Sequence, residues 1–148
     1  MDNLQVFTKD EFGEIRTIEK LNKDKHTGFF YVLEWDNKVK IGNTKNPYQR
    51  IMALKRSAEN YGNSKIGRVA LSVPHTNYVE NEKMLHKIFE KSRKTGSELF
   101  DMDFEKVLFC FPDGLEYRDD SQIIDKRAEN FLNGMKMFML GGTFNGWN

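Results

Sequence analysis

Tyr31, Lys40, Gly42 and Arg50 are residue types that suit a phosphate. Arg grips phosphate oxygens in pairs, Lys meets them as a point charge, and a phenol can donate or accept a proton. A glycine leaves bare backbone for a ligand to approach. A second group follows later in the chain. Val79, Glu82, His86 and Phe89 recur at three- and four-residue spacing, so one helical stripe carries both an acid and an imidazole.

These residues need elements to position them. Residues 33–40 are rich in β-branched and aromatic side chains, broken by Asp36-Asn37, a dipeptide suited to a two-residue hairpin turn. With that turn, Trp35 faces Lys38, Leu33 faces Lys40 and Tyr31 faces Gly42. Tyr31, Leu33, Lys40 and Gly42 then share one sheet face, and Phe30, Val32, Val39 and Ile41 the other. The second face is expected to enter a core, and the first to present the phenol and the amine. Asn46-Pro47 places a capping side chain before a proline at the first helical position, which puts Arg50 at the end of the first turn. Residues 66–73 read as a third strand, stopped by Pro74, with Val69, Leu71 and Val73 alternating against Arg68, Ala70 and Ser72. Thr76 or Asn77 starts the Glu82 helix, where Asn77 and Glu80 fit a capping box. Glu98-Leu99-Phe100 is extended, and Asp101 or Asp103 caps a helix through Phe111.

At these residues the chain resembles the GIY-YIG nuclease superfamily, in which a Tyr-bearing strand, a second strand ending in Tyr-Ile-Gly and a helix-borne Arg build a catalytic face. The second motif here is Lys40-Ile41-Gly42, followed by Thr44. That form is similar to a phage-associated branch with Lys-Ile-Gly-x-Thr, Arg and a later Glu-x-x-Leu-His-x-x-Phe. Glu82, Leu85, His86 and Phe89 supply the later part, and Glu98-Leu99-Phe100 comes after it. The likeness spans about residues 28–111 and implies an α+β fold, an antiparallel sheet flanked by helices. It also implies a metal-dependent DNA endonuclease or nickase of phage or mobile-element origin. Tyr31 and Lys40 take the places of the two tyrosines, although Gly28-Phe29-Phe30 also lines up with Gly-Ile-Tyr and makes Phe30 a rival. Arg50 becomes the phosphate clamp and Glu82 the ligand of a divalent metal, Mg²⁺ or Mn²⁺. His86 would orient Glu82, touch the scissile phosphate or be a satisfied core histidine. Glu98 would assist or brace the site. Gly42, Thr44, Lys45 and Lys55 complete the expected substrate contacts, and Lys45, Arg50, Lys55, Arg56, Lys65 and Arg68 form a candidate DNA-facing patch around the first helix. With Lys in the second motif, the alternative is a catalytically weak relative. It would bind nucleic acid or another phosphorylated ligand in phage regulation or counter-defence.

Bulk composition bounds the rest. A chain of 148 residues suggests one domain, and 39% hydrophobic content with 12 phenylalanines is enough for a core. The net charge of +1 excludes a globally basic nucleic-acid coat, so any such contact needs a local patch. One cysteine, Cys110, excludes an internal disulfide or a Cys-based zinc site and reads as a buried filler. With no signal-like start and no apolar run of membrane length, the expectation is a cytoplasmic protein, in the bacterial host if phage-encoded. Residues 1–27 read as an extra hairpin and a charged linker, with His26 solvated. The first 20 or so also resemble the opening of a BRO-N phage antirepressor domain. After Pro112-Asp113-Gly114, residues 119–140 form an amphipathic helix that would cover the sheet edge or make a homo-oligomer interface. The tail after it is either a flexible end or a docked peptide.

Overall fold

The structure is a computed structural model in which residues 3–141 are described, with side chains through Met137. The expectation for the tail falls outside that range. Five strands form one antiparallel sheet in the spatial order β1-β4-β2-β3-β5. They are β1 (Leu4–Phe7), β2 (Phe29–Trp35), β3 (Lys38–Thr44), β4 (Ile66–Ser72) and β5 (Leu99–Phe100). Helices α1 (Phe12–Leu21), α2 (Pro47–Tyr61), α3 (Tyr78–Ile88), α4 (Phe104–Phe109) and α5 (Ser121–Gly141) complete the α+β arrangement.

The β2–β3 register is the one the turn dictates: Trp35 faces Lys38, Leu33 faces Lys40 and Tyr31 faces Gly42. Asp36 turns the chain at φ 55°, a region that Asp tolerates better than most side chains. The sheet is nevertheless buried on both faces, not one. Phe29, Tyr31 and Leu33 pack with Ile15 of α1 and with Ile51 and Leu54 of α2. Phe30, Val32 and Ile41 pack with Leu85 of α3 and with Phe104 and Val107 of α4. The unbroken run Phe29-Phe30-Tyr31-Val32-Leu33 is the signature of a strand covered on both sides.

The N-terminal hairpin is not formed. Residues 4–7 make an edge strand on β4, but residues 12–21 are helical. Phe12, Ile15 and Ile18 recur every third residue and face the core, a helical period that overrides the short alternation. Thr8 and Glu11 open this stretch with a capping box, the Thr8 N–H donating to Glu11 Oε1 at 2.9 Å.

Two expected caps do not form, and in each case a longer-range partner intervenes. The Asn46 side chain makes no capping bond. Glu19 of α1 does that work, its Oε1 accepting from the backbone N–H groups of Tyr48 at 3.0 Å and Gln49 at 3.3 Å. Asn77 likewise forms no capping box. Its side chain instead holds residues 116–118, donating to the Glu116 carbonyl at 2.8 Å and accepting from the Arg118 N–H at 2.9 Å. Cys110 is exposed, because α4 ends just before it and turns it outward. Helix α5 does not cover the sheet edge. Its apolar residues Ile123, Phe131, Leu132 and Met135 are exposed, and its first turn is tied to His26, whose Nε2 lies 2.6 Å from Asp125 Oδ1. No helix among the described residues is long and apolar enough to cross a membrane.

Candidate functional site

Strand β5 is two residues long, and its ladder with β3 reaches only Val39 and Lys40. One further ladder bond follows, from the Ile41 N–H to the Glu98 carbonyl at 3.2 Å. The next acceptor along that edge, the Ile41 carbonyl, takes a hydrogen bond from His86 Nε2 at 2.8 Å. An imidazole therefore satisfies the edge where the strand runs out. The same nitrogen lies 3.1 Å from Glu82 Oε1, one helical turn back on α3. The Phe100 ring meets the imidazole edge-on at 5.0 Å, which fixes its plane.

Glu82 is almost wholly buried, 6% exposed. Burial pushes its carboxyl above the ordinary carboxylate range. His86 opposes that shift, Glu98 adds to it, and Asn43 and Arg93 oppose it. Asn43 points to the α3 side because it alternates with Gly42 along β3.

On the opposite face, Arg50 Nε donates to the Tyr31 hydroxyl at 3.3 Å. Tyr31 is fully buried, and burial raises its phenol above the usual value against the pull of Arg50, with Glu98 and Glu82 contributing in the same direction as burial. Its ring fills the space that Gly42 leaves: a Cβ at residue 42 would lie 2.7 Å from Tyr31 Cζ. Lys40 Nζ stands 3.8 Å from Glu98 Oε2 and 5.5 Å from the centre of the Trp35 ring. Acid from one face and cations from the other thus meet around residues 40–43 of β3.

The T5orf172 domain model matches residues 28–112, more than half of the chain. The chain belongs to the T5orf172 domain family. No curated protein and no solved structure matches it. Within the T5orf172 domain, the structure brings Tyr31, Lys40, Gly42, Arg50, Glu82, His86 and Glu98 to one region. Phe30 is not among them; it lies in the α3-side core against His75 and Phe111. Thr44 accepts from the Asn46 N–H at 3.0 Å and shapes the turn into α2. Lys45 donates to the Lys25 carbonyl, and Lys55 pairs with Glu59. Arg68 is clasped by Glu34 and Glu105. The cations expected to form a patch around α2 are thus largely engaged within the fold. Two neighbours of Glu82, Asn43 and Arg93, were not expected. Strand alternation alone assigns Asn43 to the face of Ile41, whereas nothing local marks Arg93.

Proposed function

We propose that this T5orf172 domain is a metal-dependent DNA endonuclease or nickase. The observation that carries the reading is a buried carboxylate, Glu82, held beside an open strand edge that Arg50 and Lys40 flank from the other side. Among the described residues, no group of three or more His, Cys, Asp or Glu side chains is arranged to hold a metal. The donor set fits a hard cation all the same. Mg²⁺ commonly takes one or two carboxylates and fills its other positions with water and phosphate oxygens. A carboxyl pushed up by burial is also one that a cation would return to its ionised form. Glu82 would hold the ion, which when bound would offset charge on the leaving oxygen.

The chain's own residues supply the rest. Arg50 offers its remaining guanidinium N–H groups to the scissile phosphate, and Lys40 adds a compact charge beside it. With its pKa raised, Tyr31 is a neutral phenol near pH 7, so it orients a water by hydrogen bonding and does not act as a phenolate base. His86 is a positioning residue, since its Nε2 is committed to Ile41 and Glu82. The burial of Tyr31 favours a second reading, a catalytically weak module that binds the phosphates of nucleic acid, because a phenol that activates water must reach water. Incubation with supercoiled plasmid in Mg²⁺, Mn²⁺ or EDTA separates the two. The nuclease reading expects metal-dependent nicking that is lost in Glu82→Gln and Arg50→Ala and reduced in Tyr31→Phe. Clean wild-type protein that binds DNA without cutting any form of it would sustain the second reading instead.

A further inference from the structure

Charge is unevenly placed along this chain. The whole protein is net +1, yet residues 83–94 hold five cations, Lys83, Lys87, Lys91, Arg93 and Lys94, against a single acid, Glu90. All five cations are exposed. Several cations elsewhere are matched by acids in contact: Lys9 and Lys55 share Glu59, Lys40 faces Glu98, Arg68 meets Glu34 and Glu105, and Arg118 meets Glu116 and Asp120. Those that are not are spread along the chain. Among the described residues, Lys83, Lys87, Lys91 and Lys94 have no such partner, and Arg93 donates only to the Ser97 carbonyl, at 2.8 Å.

Position links this strip to the edge of β3. Lys83 and Lys87 lie one turn apart, about 6 Å along the axis of α3. They follow Glu82 and His86 on the same helix, rotated toward solvent. The 3₁₀ turn Glu90–Ser92 carries the strip onward, and Arg93 then bridges to Phe100 at the end of β5. The charge of Arg93 is felt at the Glu82 carboxylate. A merely solvated helix face would be expected to mix signs, as the Lys55–Glu59 pair does on α2. A row of unmatched cations keeps its counterions until a polyanion displaces them.

We propose that residues 83–94 form the surface along which double-stranded DNA lies, guiding one phosphate to the edge between Glu82 and Arg50. The choice of partner rests on the nuclease reading; the placement of the surface does not.

The test is binding of a fluorescent DNA duplex of about 20 base pairs, measured in EDTA across a salt series. The triple variant Lys83→Gln/Lys87→Gln/Lys91→Gln is compared with wild type and with a control, Lys20→Gln/Lys23→Gln/Lys126→Gln, that removes as much charge elsewhere. The strip variant is expected to lose tenfold or more in affinity and to flatten the log K against log salt slope by about 3, at about 0.9 per lost phosphate contact. The control should stay within about twofold of wild type. Substitution of the same three lysines by Arg should retain binding, which separates lost charge from lost folding. A strip variant that binds like wild type, or a control that weakens as much, overturns the placement while leaving the nuclease reading intact. Loss of binding in the strip variant alone, with no cleavage by wild type, upholds the surface and removes the nuclease. Absence of DNA binding by wild type overturns both.

Discussion

Two histidines on the α3 side of the sheet are held in nearly the same way, and only one belongs to the candidate site. His75 donates from Nδ1 to the Val73 carbonyl at 2.8 Å and accepts at Nε2 from the Asn81 amide at 3.1 Å. His86 donates from Nε2 to the Ile41 carbonyl at 2.8 Å and lies 3.1 Å from the Glu82 carboxylate. The neighbours Asn81 and Glu82 thus serve the two rings, one with an amide and the other with an acid. An amide closes its network: Asn81 has a second N–H, which meets the Glu116 carbonyl at 2.7 Å. A carboxylate has no proton to give, and burial of Glu82 outweighs what His86, Asn43 and Arg93 return to its charge. The difference between the closed cluster and the candidate site here comes down to one functional group.

The sharpest way to break this comparison is Glu82→Gln, which makes the open pair resemble the closed one. Cleavage is expected to fall by about 10²–10³-fold or more, on the scale of a lost transition-state contact. The melting temperature of the metal-free variant at pH 7.5 should rise, because a buried charge has been removed. A variant that is both inactive and less stable would mean that Glu82 is a structural acid. Next in size is Asn81→Leu, which strands His75 Nε2 and leaves the Glu116 carbonyl to Asn77 alone. It should cost about 1–3 kcal/mol, read as a lower midpoint in urea. An unchanged midpoint would show the closed cluster to be dispensable.

The smallest effects lie in the pH dependence, and they run in opposite directions. Burial lowers the pKa of His75. Its stabilising contribution is therefore present above about pH 6.5 and is lost as pH falls through the lowered value. Burial raises that of Glu82. Its contribution is present below the ordinary carboxylate pKa, about 4.3, and is lost as pH rises through the raised one. Melting temperatures from pH 4 to 8 should therefore show His75→Gln removing an acid-side loss and Glu82→Gln removing a base-side loss. Curves that shift in the same sense for both variants would refute the assignment.

The hairpin register was legible because a two-residue turn leaves one pairing, and each side chain then follows by alternation. Helix α3 and its Glu82/His86 stripe were legible for the same reason, a strict period in polar and apolar types. The second core was harder to see. Lys40 and Gly42 on the Tyr31 face suggested an open surface, whereas the Tyr31 ring occupies the space above Gly42 and α1 and α2 cover the rest. The helix at residues 12–21 was hidden by a five-residue alternation too short to separate period two from period three. The caps of α2 and α3 were misread because Glu19, which caps α2, and residues 116–118, which occupy the Asn77 side chain, lie 29 or more residues away. Contacts of that range leave no local pattern.

Glu19 has one more consequence, for anyone who would cut this protein into parts. The helix that carries Arg50 has its first turn held by an acid from residues 12–21, outside the matched span of residues 28–112. At the other boundary, Asn77 and Asn81 at the start of α3 hold the backbone of residues 116–118. A recombinant fragment trimmed to the matched span, or a graft of that span onto another protein, would leave the first turn of α2 without its acceptor and the amides of Asn77 and Asn81 without their backbone partners. The helices of the candidate site are thus completed by the matched span together with its two flanks.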